Sequence, residues 1–235
     1  MAGETFIGSL ISRYIIFMKQ LVFGFLFILL IIPAQAEWET LEDCRLIPNK
    51  YNDGDSFHIK HKGKEYIFRL CYVDTPETDN SFKRRTSEQA KYWNIYKKEL
   101  YILGAYAKER AEKLLQETFT VKTDWTDAKG NSRLPRFFAV IETKDGNLVE
   151  ILVKEGLARI YGYAPRNPDG LSGKIYMDKL RKMEEDAKRK KVGGWLGKKN
   201  IEVSALAEGA TAPKSQNSNS PFKSYAERMR EAQQR

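Results

Sequence analysis

Two glycine turns, Asn52-Asp53-Gly54-Asp55 and His61-Lys62-Gly63-Lys64, cut the chain between residues 40 and 73 into three extended runs, 40–48, 55–60 and 64–73. Glycine beside Asn, Asp or Lys permits a tight reversal, so these runs are expected to pair as a meander. The period then changes. From Leu100 to Glu117 the residues Leu100, Leu103, Ala107, Ala111, Leu114 and Leu115 recur at steps of three and four, which is one buried face of a helix. Residues 119–125 and 136–142 read as two more strands. Residues 148–156 read as a short helix closed by Gly156, and 157–163 as extended chain. Residues 174–191 read as a last helix with Tyr176, Leu180, Met183 and Ala187 on one stripe.

Three strands, a helix, two strands and further helices predict an α+β, mainly β domain: a five-stranded OB-fold barrel with three packed helices. Its expected limits are residues 37–200. Residues 1–36 hold an upstream extension and then, from Met18, a lysine, an apolar run from Leu21 to Ile32 and the small-residue site Ala34-Gln35-Ala36. That is the form of a secretory signal peptide. The other reading is an uncleaved anchor, for which a run of about a dozen apolar residues is short against the ~20 a bilayer requires. Residues 201–235, rich in Ala, Ser, Asn, Gln and charge, read as a disordered tail. The expectation is a secreted or periplasmic monomer after cleavage near Ala36, with no stable membrane partner. A formal net charge of +9 suits a polyanionic partner.

Cys44 and Cys71 are the two cysteines of the chain. Without clustered histidines they make no zinc site. A disulfide and a pair of buried thiols are both open. Arg69 is the odd residue in Ile67-Phe68-Arg69-Leu70-Cys71-Tyr72-Val73, because an unpaired guanidinium in an apolar strand is costly and calls for a carboxylate or phosphate. Asp74, Thr75 and Glu77 follow around Pro76, and Asp53 and Asp55 lie one hairpin earlier. If the segments holding Asp55 and Asp74 lie side by side, their oxygens form a pocket suited to a hard cation, Ca2+ before Mg2+.

Asp53-Gly54-Asp55-Ser56, Phe68 through Thr78, Arg136 through Ile141 and Leu152 through Tyr161 occur in an order that resembles the staphylococcal nuclease family over residues 44–195. The resemblance implies a Ca2+-dependent endonuclease acting on DNA and/or RNA. It implies that Asp55, Asp74 and the Thr75 carbonyl hold Ca2+, with Asp53 behind them. Glu77 would orient or deprotonate the attacking water, and Arg69 would clamp the scissile phosphate. A second arginine is Arg136, aligned through Ala139, with Arg133 as the alternative. The family's Tyr-Gly before that arginine is missing here. The stretch from Asp79 to Ala107 is also longer than compact members need, and its Lys83-Arg84-Arg85 reads as a solvated loop or as a phosphate contact.

Two other functions fit parts of the sequence. His58 and His61, at odd spacing, would face opposite ways and make a poor acid–base pair for a metal-free ribonuclease. A non-catalytic OB-fold nucleic-acid-binding protein could use Trp93, Tyr161 and Tyr163 for stacking, but gains nothing from carboxylates facing a polyanion.

Overall fold

The computed structural model describes Met18, residues 37–130 and residues 132–197. The expected leader and tail therefore lie almost wholly outside the described residues, and the folded unit begins at Trp38. Among the described residues no helix is long and apolar enough to cross a membrane.

The meander forms as β1 (Glu39–Leu46), β2 (Ser56–His61) and β3 (Lys64–Leu70). β5 (Phe119–Asp127) and β6 (Arg136–Thr143) follow the helical segment. β1 pairs antiparallel with β2 and β5, β2 with β3, and β5 with β6. A parallel β3–β6 ladder, with Arg69 opposite Phe138, closes the ring. Closure leaves these five strands without a free edge and gives the mixed OB-type barrel that the sequence pattern predicts. Phe57, Ile59, Phe68, Leu70, Val121, Ala139 and Ile141 fill it and are nearly inaccessible.

Among the described residues, four α-helices accompany the barrel. α2 (Lys97–Leu114), α3 (Leu148–Lys154) and α4 (Gly173–Lys190) are the three expected. α3 follows the short β7 (Gly146–Asn147), and Asn147 caps it by accepting from the Glu150 amide at 3.2 Å. The fourth, α1 (Lys83–Trp93), occupies the stretch expected as a loop. Its buried residues are Thr86, Gln89, Ala90 and Trp93, the spacing of a helical face. Two of those four are polar, which hides the stripe from a search for apolar periodicity. Trp93 is thus a core residue, packed against Gly194 and Leu103, and not a stacking platform.

The run 64–73 is not one strand. β3 ends at Leu70, Tyr72 adopts a left-handed backbone (φ 68°), and a two-residue β4 (Val73–Asp74) pairs with β8 (Arg159–Ile160). A non-glycine aromatic in that region is uncommon, and bonding on both sides holds it there. The Tyr72 amide donates to Tyr163 O at 2.8 Å and its carbonyl accepts from Tyr161 N at 2.8 Å. The kink has a large effect on placement. In an unbroken strand, residues five apart face opposite ways, so Arg69 and Asp74 would diverge. Turned at Tyr72, the chain brings Asp74 back to Arg69.

Cys44 and Cys71 are free and fully buried. Cys44 Sγ lies 3.7 Å from His61 Nδ1, at the turn end of the β2–β3 hairpin, whereas Cys71 follows the opposite end of β3, so the two are too far apart to be bridged. Burial pushes the Cys71 thiol well above its ordinary value.

Candidate active site

The turn 52–56 and the segment 74–77 press directly on each other. A Cβ on Gly54 would stand 2.7 Å from Thr75 Oγ1, so this contact requires glycine. Asp53 shapes the turn, its Oδ1 accepting from the amides of Asp55 (3.0 Å) and Ser56 (2.6 Å). On the far side, a Cβ on Gly104 of α2 would meet the carbonyls of Glu77 (2.5 Å) and Pro76 (2.6 Å). Two glycines therefore let a turn, a strand end and a helix meet at one point.

The structure brings Asp55, Arg69, Asp74 and Glu77 together there. Arg69 Nη2 donates to Asp55 Oδ2 at 2.9 Å and to Asp74 Oδ1 at 2.8 Å, so one nitrogen bridges the two carboxylates. Among the described residues the hydrogen bonds of Arg69 to these carboxylates run through Nη2. Asp55 is 1% exposed and also accepts from Thr75 N at 3.1 Å. Asp74 is fully buried.

Three further residues complete the site, and the sequence reading missed them as members. Arg159 crosses from β8, donating through Nε to Asp74 Oδ2 at 2.8 Å, with Nη2 in an ion pair at 2.8 Å from the same oxygen. Gln89 of α1 gives Nε2 to Asp74 Oδ2 and to Thr75 O, both at 2.8 Å, and accepts the Glu77 amide at 2.8 Å. Arg85 of α1 bonds Asp74 Oδ1 through Nη2 and Glu77 Oε1 through Nε at 2.9 Å. Arg85 was expected as a loop residue or a phosphate contact; here it stands on the carboxylates. The neighbouring Arg84, 94% exposed, is the solvated one. A polar stripe with a basic residue four before a glutamine was the available signal.

The charge balance differs between the two aspartates. Burial pushes Asp55 up to about 7, against the lowering effect of Arg69. Burial acts on Asp74 too, but Arg85, Arg159 and Arg69 outweigh it and hold this carboxyl below its ordinary value. Glu77 is raised by burial, opposed by Arg85.

Arg136 makes no ion pair in this network among the described residues. Its Nε donates to Lys129 O at 2.8 Å, and burial and Arg69 lower its pKa. It sits one strand over from Arg69, on the same face by the β3–β6 register. With Arg133, Tyr51, Asp53, Ile67 and Phe82 it lines an open groove of about 730 Å³ beside the carboxylates. Both candidate second arginines therefore border the same groove. His58 and His61 are apart in role: His61 Nδ1 lies 2.8 Å from Glu42 O, and His58 borders the groove near Glu65. Tyr163 stacks on Phe138 at 4.6 Å between centroids, while Tyr161 is 52% exposed over Arg159.

Among the described residues no cluster of three or more His, Cys, Asp or Glu side chains is arranged to hold a metal ion. The donors present are two carboxylates and a main-chain carbonyl, all oxygen. That chemistry fits a hard divalent cation.

A barrel of this topology carrying an Asp–Arg–Asp–Glu centre defines a class, and comparison with known proteins gives the same one. Residues 67–197 match the family described as staphylococcal nuclease homologue, and the chain belongs to that family. Asp53 and Asp55 precede the matched segment, so their place in the site rests on the geometry above. The chain is 34% identical over 146 residues to Endonuclease YncB of Bacillus subtilis (strain 168), covering 61% of this chain and 57% of that protein. It is 32% identical over 146 residues to the SPbeta prophage-derived endonuclease YokF of the same strain, covering 61% of this chain and 41% of that one. The chain thus spans less than two thirds of either relative.

Proposed function

We propose that this protein is an exported, divalent-metal-dependent endonuclease that hydrolyses phosphodiester bonds of DNA and/or RNA. The observation that carries the reading is the convergence of Asp55 and Asp74 on Arg69, with Glu77 tied to Asp74 through Arg85, beside a groove lined by Asp53 and two more arginines. The likeness to two proteins named endonucleases supports it. A binding module would have no use for buried carboxylates facing a polyanion; a hydrolase uses them to hold a cation and to activate water.

Asp55, Asp74 and the Thr75 carbonyl would hold the cation, for which Ca2+ is the proposed ion. Bound there, it would supply positive charge against a phosphate oxygen. Glu77 takes the proton of the attacking water, and its burial-raised pKa makes it a better base than an exposed carboxylate. Arg69 offers its guanidinium charge and its remaining N–H groups to the phosphate, where charge builds as the water oxygen approaches phosphorus and the opposite oxygen leaves. Arg136 is the proposed second clamp, and Arg133 the alternative, both lining the groove. Asp53 holds the turn that carries Asp55.

The reading includes cleavage near Ala36 and a monomeric secreted or periplasmic product. One experiment tests it: release of acid-soluble nucleotides from denatured DNA and from RNA by the purified chain, after its N-terminus has been read by mass spectrometry. A mature start at Glu37 and hydrolysis that Ca2+ supports and a chelator abolishes are expected. Nucleic-acid binding without hydrolysis under every metal condition would sink the reading in favour of a binding module.

A further inference from the structure

The carboxylates that would hold a cation already have a cation of the chain's own. Two guanidiniums share Asp74 Oδ1: Arg69 from β3 and Arg85 from α1. They are not equally fixed. Arg69 is 13% exposed, inside the barrel wall, and bridges both aspartates. Arg85 is 32% exposed, arrives from a surface helix, and its Nη2 is also 4.0 Å from Asp55 Oδ2. It covers the solvent side of the gap between the two aspartates, and its second contact, Nε to Glu77, ties it to the rim of the site.

Resting on the reading of this site as a metal centre, we propose that Arg85 is a built-in counter-cation that a divalent metal must displace from Asp74, so that α1 sets the metal concentration at which the site loads. A carboxylate oxygen hydrogen-bonded to two guanidiniums has no free lone pair to offer a metal, so one must leave. Arg85 is the one with solvent to leave into. The Nε contact to Glu77 keeps the departing side chain at the mouth of the site. Loading then follows the fraction of molecules in which Arg85 stands aside, and apparent affinity falls by that fraction.

The test is Ca2+ binding by titration calorimetry, without substrate, on the parent chain, Arg85→Met, Arg85→Lys and Arg84→Met. Arg85→Met is expected to bind Ca2+ at least about fivefold more tightly. Arg85→Lys is expected to fall between the two, because one ammonium cannot bond Asp74 and Glu77 in the fork that Arg85 uses. Arg84→Met removes the same charge one residue away, on the exposed side, and should bind within about twofold of the parent. Equal affinity of Arg85→Met and the parent would overturn the inference while leaving the metal reading intact. So would an Arg85→Lys affinity equal to the parent's beside a tighter Arg85→Met, since net charge alone would then be responsible. If none of the four chains bound Ca2+ at millimolar concentration, the metal reading would fall, and this inference with it.

Discussion

The two sides of the site hold the same carboxylates by different means. On the barrel side, Arg69 holds a β-ladder position opposite Ser56, and Asp55 immediately precedes β2, its carbonyl accepting from Leu70 N at 2.8 Å. On the helix side, Arg85 and Gln89 come from one turn of α1, a separate segment that touches Asp74, Thr75 and Glu77 through side chains. The barrel side is fixed by a hydrogen-bonded ladder that exists without the site. The helix side is fixed chiefly by the site itself and by one buried stripe. Chemistry that demands preorganisation belongs on the first side, and adjustable support on the second.

The largest effect should come from the residue that joins the barrel end to β8. Arg159 is 5% exposed and bonds a carboxylate that is fully buried. Replacing it with Leu leaves Asp74 with one fewer cation, and breaking a buried pair costs about 3–5 kcal/mol. Chemical denaturation should show that loss; a change under about 1 kcal/mol would mean that Arg69 and Arg85 neutralise Asp74 unaided.

Arg69→Lys separates catalysis from support. It keeps the charge but loses the planar fork, so kcat should fall about 10²- to 10³-fold, roughly 3–4 kcal/mol of barrier. Stability and single-stranded DNA affinity should change far less, because the missing interaction belongs to the transition state. A kcat within about threefold of the parent would put Arg69 among the structural ion pairs.

Gln89→Leu is the converse case and the smallest effect. It removes partners from Thr75 O, the Glu77 amide and Asp74 Oδ2 while filling similar space. Unsatisfied buried groups cost about 1–3 kcal/mol. The expectation is a stability loss of that size with kcat reduced less than the Arg69→Lys change. If kcat instead fell as far as in Arg69→Lys with stability unchanged, α1 would be part of the catalytic apparatus and the contrast between the two sides would fail.

The same contrast governs what the sequence made legible. The barrel followed from turn chemistry and period, since adjacent strands joined by glycine turns must pair locally. Arg69 stood out because it breaks the apolar pattern of its strand, whereas Asp55, Asp74 and Glu77 were joined to it by the resemblance to the nuclease family. Arg159 was not, because it reaches the site through the β4–β8 pairing of residues 85 positions apart, and nothing in Leu157 through Tyr163 announces that partner. The kink at Tyr72 was hidden for a related reason. A left-handed aromatic is held by the same distant segment and carries no glycine to mark it. α1 was hidden because its inward face is built from Thr86 and Gln89, whose burial is compensated by hydrogen bonds and not by apolar contact.

The account's central claim is that this cluster of charges is a hydrolytic centre and not an ion-pair network that braces a nucleic-acid-binding barrel. Glu77→Gln decides it most directly, because the amide retains size and polarity but cannot take a proton from water. Hydrolysis and binding of the same single-stranded DNA would be measured with parent and variant at saturating Ca2+. The account predicts binding within about threefold and hydrolysis reduced roughly 10²- to 10⁴-fold. Hydrolysis that survived Glu77→Gln undiminished, or a parent chain that bound the strand and never cut it, would contradict it.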